Sequence, residues 1–273
     1  MWITENCQIW RKEQRRNEEK MNVIVITGAS SGIGMEFAMQ MDDYFTNVDE
    51  FWLVARSGDK LEEVARVLQH RTRIFAMDVT DKGKLDRLEQ ALKEEKAVVR
   101  ILVNCAGYGV MGAFANLDRE QMLGMVRLNC EALTEMTYRL IPFMRRNSRI
   151  IQLASSAAFM PQPDFAVYAA SKAYVHSFSR ALGVELEKKG IYVTSVCPGP
   201  VDTPFFDIAE KDGTILTVKK LTMTTAEKVV NQALRDSYYR KSVSVCTMPI
   251  KVFGVTAKVV PHYIMMKAMS LTK

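Results

Sequence analysis

The sequence predicts an α/β fold, a single doubly wound parallel sheet of about seven strands with helices on both faces. Short runs of apolar and β-branched residues alternate with longer stretches of helical period, as in strands joined by crossover helices. Most of these runs are continuously apolar, as expected for strands that helices cover on both sides. The chain has 273 residues, 48% of them hydrophobic, which is enough for one large core.

The predicted strands start with a run rich in valine and isoleucine directly after Met21. They cover residues 22–27, 50–55, 72–77, 99–104, 149–154, 191–196 and 242–246. Helical periodicity fills the intervals, most clearly over residues 35–41, 81–95, 119–144 and 167–188. A further helix is expected to begin with a capping box formed by Thr224 and Glu227 and to end near Tyr239. Right-handed crossovers place the loops after the strands at one sheet edge, where such folds bind ligands.

Two terminal segments flank this central domain, which we expect to span residues 21–248. Residues 1–20 form an N-terminal extension that lacks the apolar core of a secretory signal, and Met21 is a candidate alternative start. Residues 249–273 form a tail without acidic residues, and its lysines are Lys251, Lys258, Lys267 and Lys273. We expect this basic, apolar tail to be helical and to pack near the substrate site or at an interface. Attachment to a membrane surface is the alternative.

Composition argues against several classes of protein. No window of about 18 uncharged apolar residues exists, so we expect no transmembrane helix. The net charge of +6 comes from basic residues interleaved with acids, which argues against nucleic-acid binding. The five cysteines include no C-x-x-C pair, and His70, His176 and His262 lack the spacing of metal ligands. A reducing, cytoplasmic location and no metal site are therefore expected.

A glycine-rich loop follows the first predicted strand and reads Thr27-Gly28-Ala29-Ser30-Ser31-Gly32-Ile33-Gly34. Glycines have no Cβ atom, so the backbone can turn sharply and approach a pyrophosphate closely. The free N–H groups and the dipole at the start of the next helix favour negative charge. A tight turn without a ligand is the alternative. The position of the loop after the first strand of an α/β series favours a nucleotide cofactor.

Further motifs follow the later predicted strands. They are Asp78-Val79, Asn104-Cys105-Ala106-Gly107, Asn129, Ser155, Tyr168-Ala169-Ala170-Ser171-Lys172 and Pro198-Gly199-Pro200-Val201-Asp202-Thr203. With the T-G-x-x-x-G-I-G loop, this series resembles the short-chain dehydrogenase/reductase family over residues 21–248. The resemblance implies a Rossmann-type oxidoreductase that uses a nicotinamide cofactor. Many such proteins are dimers or tetramers, so a homo-oligomer is expected.

Tyr168 and Lys172 stand four residues apart on a predicted helix and therefore share one face. A tyrosine with its usual pKa of about 10 is a poor base at neutral pH. A nearby ammonium stabilises the phenolate and is expected to lower that pKa. Tyr168 can then protonate a carbonyl oxygen during reduction and accept the alcohol proton during oxidation. A packed ring beside a solvated lysine is the alternative.

The resemblance implies a catalytic tetrad of Asn129, Ser155, Tyr168 and Lys172. In it Ser155, and not its neighbour Ser156, holds the substrate oxygen, because thirteen positions before the tyrosine is the usual separation in the family. Lys172 also binds the nicotinamide ribose, and Asn129 supports a water that links Lys172 to solvent. The cofactor-binding residues that the resemblance and the loop arguments indicate, besides Tyr168 and Lys172, are Gly28, Ser30, Ser31, Gly32, Ile33, Gly34, Arg56, Asp78, Val79, Asn104, Ala106, Gly107, Pro198, Gly199, Val201 and Thr203.

The end of the second strand predicts NADP(H) as the cofactor. An acidic residue there would bind the adenosine ribose of NAD and repel a 2′-phosphate. The sequence instead has Ala55 followed by Arg56, whose guanidinium can bind a phosphate. An ordinary surface arginine is the alternative. Cys105 replaces the second Asn of the more frequent Asn-Asn-Ala-Gly motif, which puts a side-chain hydrogen bond of that turn in doubt.

The least patterned segments predict an apolar substrate site. The residues concerned are Tyr108, Val110, Met111, Phe114, Met160, Phe205 and Phe206. No arginine cluster in these segments awaits a phosphorylated substrate, so a small lipophilic carbonyl compound or alcohol, of the keto-steroid or acyl-chain ketone class, is expected. A non-catalytic NADP-binding regulatory module and a membrane-surface protein remain as alternatives.

Overall fold

The computed structural model describes residues 20–205 and 223–271, and its strands form one seven-stranded parallel sheet. The strands are β1 (Asn22–Thr27), β2 (Glu50–Ala55), β3 (Arg71–Ala76), β4 (Val98–Asn104), β5 (Arg149–Leu153), β6 (Tyr192–Val196) and β7 (Val243–Ser244). Their order across the sheet is β3-β2-β1-β4-β5-β6-β7. The predicted fold class is therefore confirmed. The seventh strand is shorter than predicted because it lies at the sheet edge and pairs only with Ser195 and Val196 of β6.

Nine α-helices lie within the described residues. They are α1 (Gly32–Tyr44), α2 (Gly58–Val67), α3 (Lys82–Glu94), α4 (Arg119–Val126), α5 (Leu133–Leu140), α6 (Ala166–Glu187), α7 (Ala226–Tyr238), α8 (Met248–Val259) and α9 (His262–Leu271). Helix α3 starts at the N-cap Asp81, whose carboxylate accepts a hydrogen bond from the backbone N–H of Lys84. None of the described helices is long and apolar enough to cross a membrane.

The structure differs from the predicted helices in two details. The helix predicted over residues 119–144 is present but not uniform: a π-helical turn over Arg127–Ala132 joins α4 to α5, and the segment ends in a 3₁₀ turn that contains Pro142. The N-cap of α7 is Thr225, not Thr224, and its hydroxyl accepts a hydrogen bond from Lys228 N at 3.4 Å. Thr224 cannot cap the helix because its backbone pairs with the loop after β6, donating to the carbonyl of Pro200.

Helices cover both faces of the sheet and bury an apolar core on each. On one face α3, α5 and α6 pack against the strands, with Leu88 and Met136 almost fully buried. On the other face α1, α2 and α7 do the same, with Phe37, Leu61 and Val230 fully buried. Each such side chain contributes about 1.5–3 kcal/mol to the free energy of folding. The two cores fix the sheet and with it the loops at its carboxyl edge.

The strand order places a switch point between β1 and β4. The chain runs from β1 outward to β2 and β3, and then crosses back to β4 on the other side of β1. The loops after β1 and β4 therefore diverge and leave a crevice, the place where open α/β sheets bind ligands. The hydroxyl of Thr27 joins these loops at their base, because it accepts hydrogen bonds from Cys105 N at 3.0 Å and Ala106 N at 3.1 Å.

Candidate active site

The glycine loop after β1 is too tightly packed for side chains. Gly28 has a φ of +68°, and a Cβ there would lie 2.9 Å from Ala106 N. A Cβ on Gly34 would overlap the carbonyl oxygen of Gly28. Ser31, the N-cap of α1, is extended, and its side chain makes no capping hydrogen bond to the first-turn N–H groups. This backbone fits a bound pyrophosphate at the positive end of the helix.

Tyr168 lies on the first turn of α6 and is buried, with 7% of its surface exposed. Its hydroxyl hydrogen-bonds the side chain of Ser155. The ring of Phe165 stacks on the Tyr168 ring at a centroid distance of 4.2 Å and an angle of 20°. Ser155 is held in turn, because it caps a 3₁₀ turn and its Oγ accepts from Ala157 N at 3.1 Å. The structure therefore brings the predicted hydroxyl pair together and fixes both partners.

Lys172 lies one turn further along α6, on the same face as Tyr168. Its Nζ donates a 2.7 Å hydrogen bond to the carbonyl oxygen of Leu153, at the end of β5, and lies 5.7 Å from the centroid of the Tyr168 ring. The side chain is buried. The ammonium thus lies under the tyrosine, and the alternative of a solvated lysine does not hold.

Asn129 is buried within the π-helical turn. Its amide oxygen accepts from Tyr108 N at 3.1 Å, and its amide nitrogen donates to Tyr108 O at 2.9 Å and to Ser171 Oγ at 3.0 Å. A Cβ on Gly107 would lie 2.9 Å from the Asn129 amide oxygen and 3.4 Å from Lys172 Nζ. The edge of Gly107 therefore borders both side chains, so that the four residues of the predicted tetrad belong to one cluster.

The pKa values in this cluster are dominated by burial. Burial raises the pKa of Tyr168 to about 12, and the hydrogen bond with Ser155 opposes that rise. The expected net lowering of the Tyr168 pKa is therefore wrong for this structure, because the effect of burial is the largest. Burial also lowers the pKa of Lys172 to about 8, although the nearby thiols of Cys105 and Cys130 have the opposite effect and raise it. Tyr168 is accordingly a neutral phenol at physiological pH, and Lys172 gains or loses its proton close to that pH.

A comparison of the sequence with models of protein families decides the family. The model described as short chain dehydrogenase matches residues 22–213, which include the glycine loop, Tyr168 and Lys172. The chain belongs to this family. It is thus an oxidoreductase of the short-chain dehydrogenase type, a family whose members bind a nicotinamide cofactor.

Individual members of the family cover most of the chain. An uncharacterized oxidoreductase of Staphylococcus epidermidis is 34% identical over 68% of this chain and 80% of that protein. A very-long-chain 3-oxoacyl-CoA reductase of Phaeosphaeria nodorum is 31% identical over 75% of this chain and 62% of that protein. Among solved structures, a short-chain dehydrogenase from Sphingobium yanoikuyae in complex with NADPH is 26% identical, covers 90% of this chain and 95% of that one, and has a TM-score of 0.75.

The loops after β2 and β3 carry the residues that the sequence predicts to bind the adenosine part of the cofactor. Ala55 ends β2, and Arg56 follows it with an exposed side chain. Burial is the largest effect on the Asp78 carboxyl and raises its pKa, but the net pKa is lowered. Hydrogen bonds from Thr80 and the charges of Arg56 and Lys84 together cause this lowering. Arg56 therefore lies near Asp78.

The turn after β4 is held by hydrogen bonds to side chains inside the domain. The side chain of Asn104 is buried and donates to Thr137 Oγ1 at 2.9 Å, so it faces the interior. Thr27 holds the backbone of Cys105 and Ala106 instead. Thr27 was not among the predicted site residues, although it is the first letter of the T-G-x-x-x-G-I-G pattern. Its hydroxyl fixes the distance between the two cofactor-side loops.

The loop after β6 covers the same crevice from the other side. The methyl group of Thr203 lies 3.3 Å from the place of a Cβ on Gly32, so this loop contacts the glycine loop directly. The carbonyl of Pro198 accepts a 2.8 Å hydrogen bond from Ser156 N, and Val201 is buried. A Cβ on Gly199 would lie 2.8 Å from Ile250 of α8, which places the C-terminal tail against this loop.

An apolar cluster surrounds the Tyr168 ring. Of the predicted substrate-side residues, Tyr108, Val110 and Phe205 belong to it, whereas Phe114 is largely exposed and Phe206 lies outside the described residues. The four largest of its other members were missed in the sequence because they lie on segments without motifs. They are Leu117, Met122, Met125 and Phe165. The cluster gives the tyrosine a water-poor surrounding, in agreement with its raised pKa. Among the described residues, no group of three or more His, Cys, Asp or Glu side chains could hold a metal ion.

Proposed function

We propose that this chain is an NADP(H)-dependent oxidoreductase that interconverts a carbonyl group and a secondary alcohol on a lipophilic substrate. The observation that carries the proposal is the interaction of the half-buried Ser155 hydroxyl with the buried hydroxyl of Tyr168, one helical turn from the buried ammonium of Lys172. A pair of hydroxyl donors can bind one substrate oxygen and stabilise the negative charge that develops on it during reduction.

The protonation states favour carbonyl reduction at neutral pH. The nicotinamide cofactor supplies the hydride to the carbonyl carbon when it is bound. Tyr168, with a pKa of about 12, holds the proton that the carbonyl oxygen needs, and Ser155 orients that oxygen. Lys172 stabilises the resulting phenolate by its charge, and its own pKa of about 8 allows it to supply the replacement proton. One hydride and one proton are thus added to the carbonyl group.

The geometry around Gly107 supports a route by which Lys172 is reprotonated. The glycine has no side chain between the amide oxygen of Asn129 and the ammonium of Lys172, both of which a Cβ would approach within 3.4 Å. A water at this edge would accept from the ammonium and donate to the amide oxygen. We assign Asn129 the role of holding that water, while its amide nitrogen is used by Tyr108 O and Ser171 Oγ.

The preference for NADP(H) rests on the loop after β2. Ala55 occupies the position where an acidic residue would select NAD, so no negative charge repels a 2′-phosphate there. The exposed guanidinium of Arg56 can pair with that phosphate. The NADPH found in the Sphingobium yanoikuyae relative is compatible with this preference. The absence of a lysine or arginine inside the glycine loop means that Arg56 carries the preference by itself.

The substrate class follows from the walls of the site. Phe165, Phe205 and Val110 lie around the Tyr168 ring, and Phe205 approaches that ring to a centroid distance of 5.6 Å. Such walls exclude strongly hydrated groups and favour an apolar ketone. One relative of this chain is named as a 3-oxoacyl-CoA reductase, which also acts on a carbonyl of an acyl chain. We therefore propose keto-steroids or acyl-chain ketones as the class to test.

The decisive experiment measures oxidation of NADPH and NADH with a panel of keto-steroids, acyl ketones and small charged aldehydes. Tyr168→Phe is expected to abolish at least 99% of the turnover and to retain NADPH binding, because it removes only the proton donor. Tyr174→Phe on the same helix, whose hydroxyl contacts Thr134, is the matched control and retains activity. Full activity of Tyr168→Phe would overturn the assignment. Tight NADPH binding without turnover of any substrate would favour the non-catalytic regulatory module.

A further inference from the structure

Helix α8 presents an apolar face to solvent. Met248, Val252, Val255 and Val259 are 67%, 59%, 64% and 77% exposed. Since each residue of an α-helix turns by about 100°, these four side chains fall within an arc of about 60°. Tyr263 and Ile264 of the following helix α9 are exposed as well. Contiguous apolar surface of this kind marks a binding surface. We call these six residues the tail face.

The opposite side of α8 is anchored to the domain. Ile250 and Ala257 are buried, and Ile250 lies against Gly199 of the cofactor-side loop. The ring of Phe253 lies 6.2 Å from that of Phe159, which belongs to the 3₁₀ turn behind Ser155. These contacts fix the rotation of the helix about its axis. The tail face therefore takes no part in the packing of α8 on the domain and points to solvent.

The charge around the tail face has one sign. Lys251 and Lys258 are exposed on α8 beside the apolar arc, and Lys267 lies on α9 with its Nζ 5.3 Å from the ring centroid of Tyr263. No acidic residue occurs between residues 249 and 273. A helix with exposed apolar residues flanked by lysines is suited to the boundary between the headgroups and acyl chains of a membrane that contains anionic lipids.

We propose that the tail face docks on an anionic phospholipid surface, with the valines entering the acyl-chain boundary and the lysines pairing with headgroup phosphates. A second copy of the chain fits this face less well. A symmetric pair brings identical surfaces together and would oppose Lys251 and Lys258 to the same lysines of its partner. The proposal does not depend on the oxidoreductase assignment, because the residues of the tail face are distinct from those that surround Tyr168.

The test is cosedimentation of the full chain with vesicles of phosphatidylcholine, with and without phosphatidylglycerol. We expect binding that requires phosphatidylglycerol and weakens as salt rises. The variant Val252→Glu/Val255→Glu/Val259→Glu should lose at least tenfold in affinity, because it places acids in the apolar face. Val67→Glu, at an equally exposed valine of α2, is the matched control and should bind normally. Lys251→Gln/Lys258→Gln should reduce the dependence on phosphatidylglycerol.

Three outcomes overturn the proposal. The first is wild-type chain that stays in the supernatant with both kinds of vesicle. The second is equal vesicle binding by the triple glutamate variant and the wild type. The third is that neither the wild type nor the triple variant binds vesicles, while sedimentation velocity shows an oligomer for the wild type and smaller species for the triple variant. That result would assign the tail face to contact with a second copy of the chain. Circular dichroism and turnover of a water-soluble ketone establish that each variant is folded.

Discussion

The ammonium of Lys172 donates a 2.7 Å hydrogen bond to the carbonyl oxygen of Leu153, the last residue of β5. This bond holds a buried charge under the Tyr168 ring and connects α6 with the carboxyl edge of the sheet. It satisfies one of the three donors of the ammonium, and burial lowers the pKa of the group to about 8. Both the stability and the activity of the protein should therefore depend on pH through Lys172.

The first prediction concerns stability. The pKa of Lys172 is about 8 in the folded chain against a model value of 10.5, so the unfolded state binds more protons between these two values. The free energy of unfolding should accordingly rise with pH in this window, by about 3 kcal/mol through this one group. Above about pH 9 the buried thiols of Cys105 and Cys197, whose pKa values burial raises, act in the opposite direction. Urea denaturation at several pH values should therefore show the contribution of Lys172 as a difference between the wild type and Lys172→Met that rises across this window. Lys60→Met, at an exposed lysine of α2, is the control and should show no such difference from the wild type.

The second prediction concerns the rate of carbonyl reduction. We expect kcat/KM to fall above about pH 8, because Lys172 then loses the charge that stabilises the phenolate. The neighbouring groups do not titrate there: burial raises the pKa of Cys105 to about 12, that of Cys197 to about 11 and that of Tyr168 to about 12. A pH profile of the NADPH-dependent reaction measures this. A flat profile through pH 10 would contradict the role of Lys172.

The third prediction concerns the cofactor. Arg56→Ala should raise KM for NADPH by roughly 10–100-fold, the effect of losing a charge-assisted hydrogen bond of about 1.5–3 kcal/mol. KM for NADH should change by less than about twofold, since NADH has no phosphate for Arg56 to bind. Arg66→Ala, at an exposed arginine near the end of α2, is the matched control. Equal effects on both cofactors would remove Arg56 from the recognition of the 2′-phosphate.

The fourth prediction concerns the packing around the catalytic ring. A Cβ on Gly109 would lie 2.7 Å from Cδ2 of Tyr168 and 2.9 Å from Cζ of Phe165. Gly109→Ala should therefore displace the stacked rings and lower kcat by about 10–100-fold, as small misplacements of a catalytic group do. Gly183→Ala is the control, because its Cβ would meet Val193 at an ordinary 3.6 Å.

The control variant Gly183→Ala should itself change the stability of the protein. Gly183 lies inside α6, where alanine is favoured over glycine by about 0.5–1 kcal/mol, so Gly183→Ala should stabilise the protein and keep its activity. Thermal unfolding and steady-state kinetics on both variants make the comparison. Unchanged kcat in Gly109→Ala would mean that the ring cluster adapts and that Gly109 has no part in orienting Tyr168.

The sequence predicted the fold because its apolar runs and helical stretches alternate regularly, and seven runs became seven strands of one sheet. It predicted from their helical spacing that Tyr168 and Lys172 share a face, and the family resemblance implied that Ser155 joins them. The sequence could not predict the surroundings of individual side chains or the pKa values that depend on them. The direction of the Tyr168 pKa depends on how deeply Phe165 and its neighbours bury the ring, and periodicity does not record burial at that scale.

Other differences arise where long-range contacts override a local pattern. Thr224 fits a capping box, but its pairing with Val201 requires an extended backbone, and the cap moves to Thr225. Asn104 fits a cofactor turn, but Thr137 of the neighbouring helix takes its side chain into the core. In both cases the partner lies more than twenty residues away along the chain, so that no local signal could identify it.

The π-helical turn at Arg127–Ala132 contains one residue more than an α-helical turn needs. Removing one residue from it would convert it into an ordinary α-helical turn, while α4 and α5 keep the faces that they turn to the core. Asn129 would lose the position in which it contacts Tyr108 and Ser171. A single deletion in this turn should therefore leave the fold intact and cost activity, whereas a deletion elsewhere in α4 or α5 would rotate the rest of that helix by about 100°.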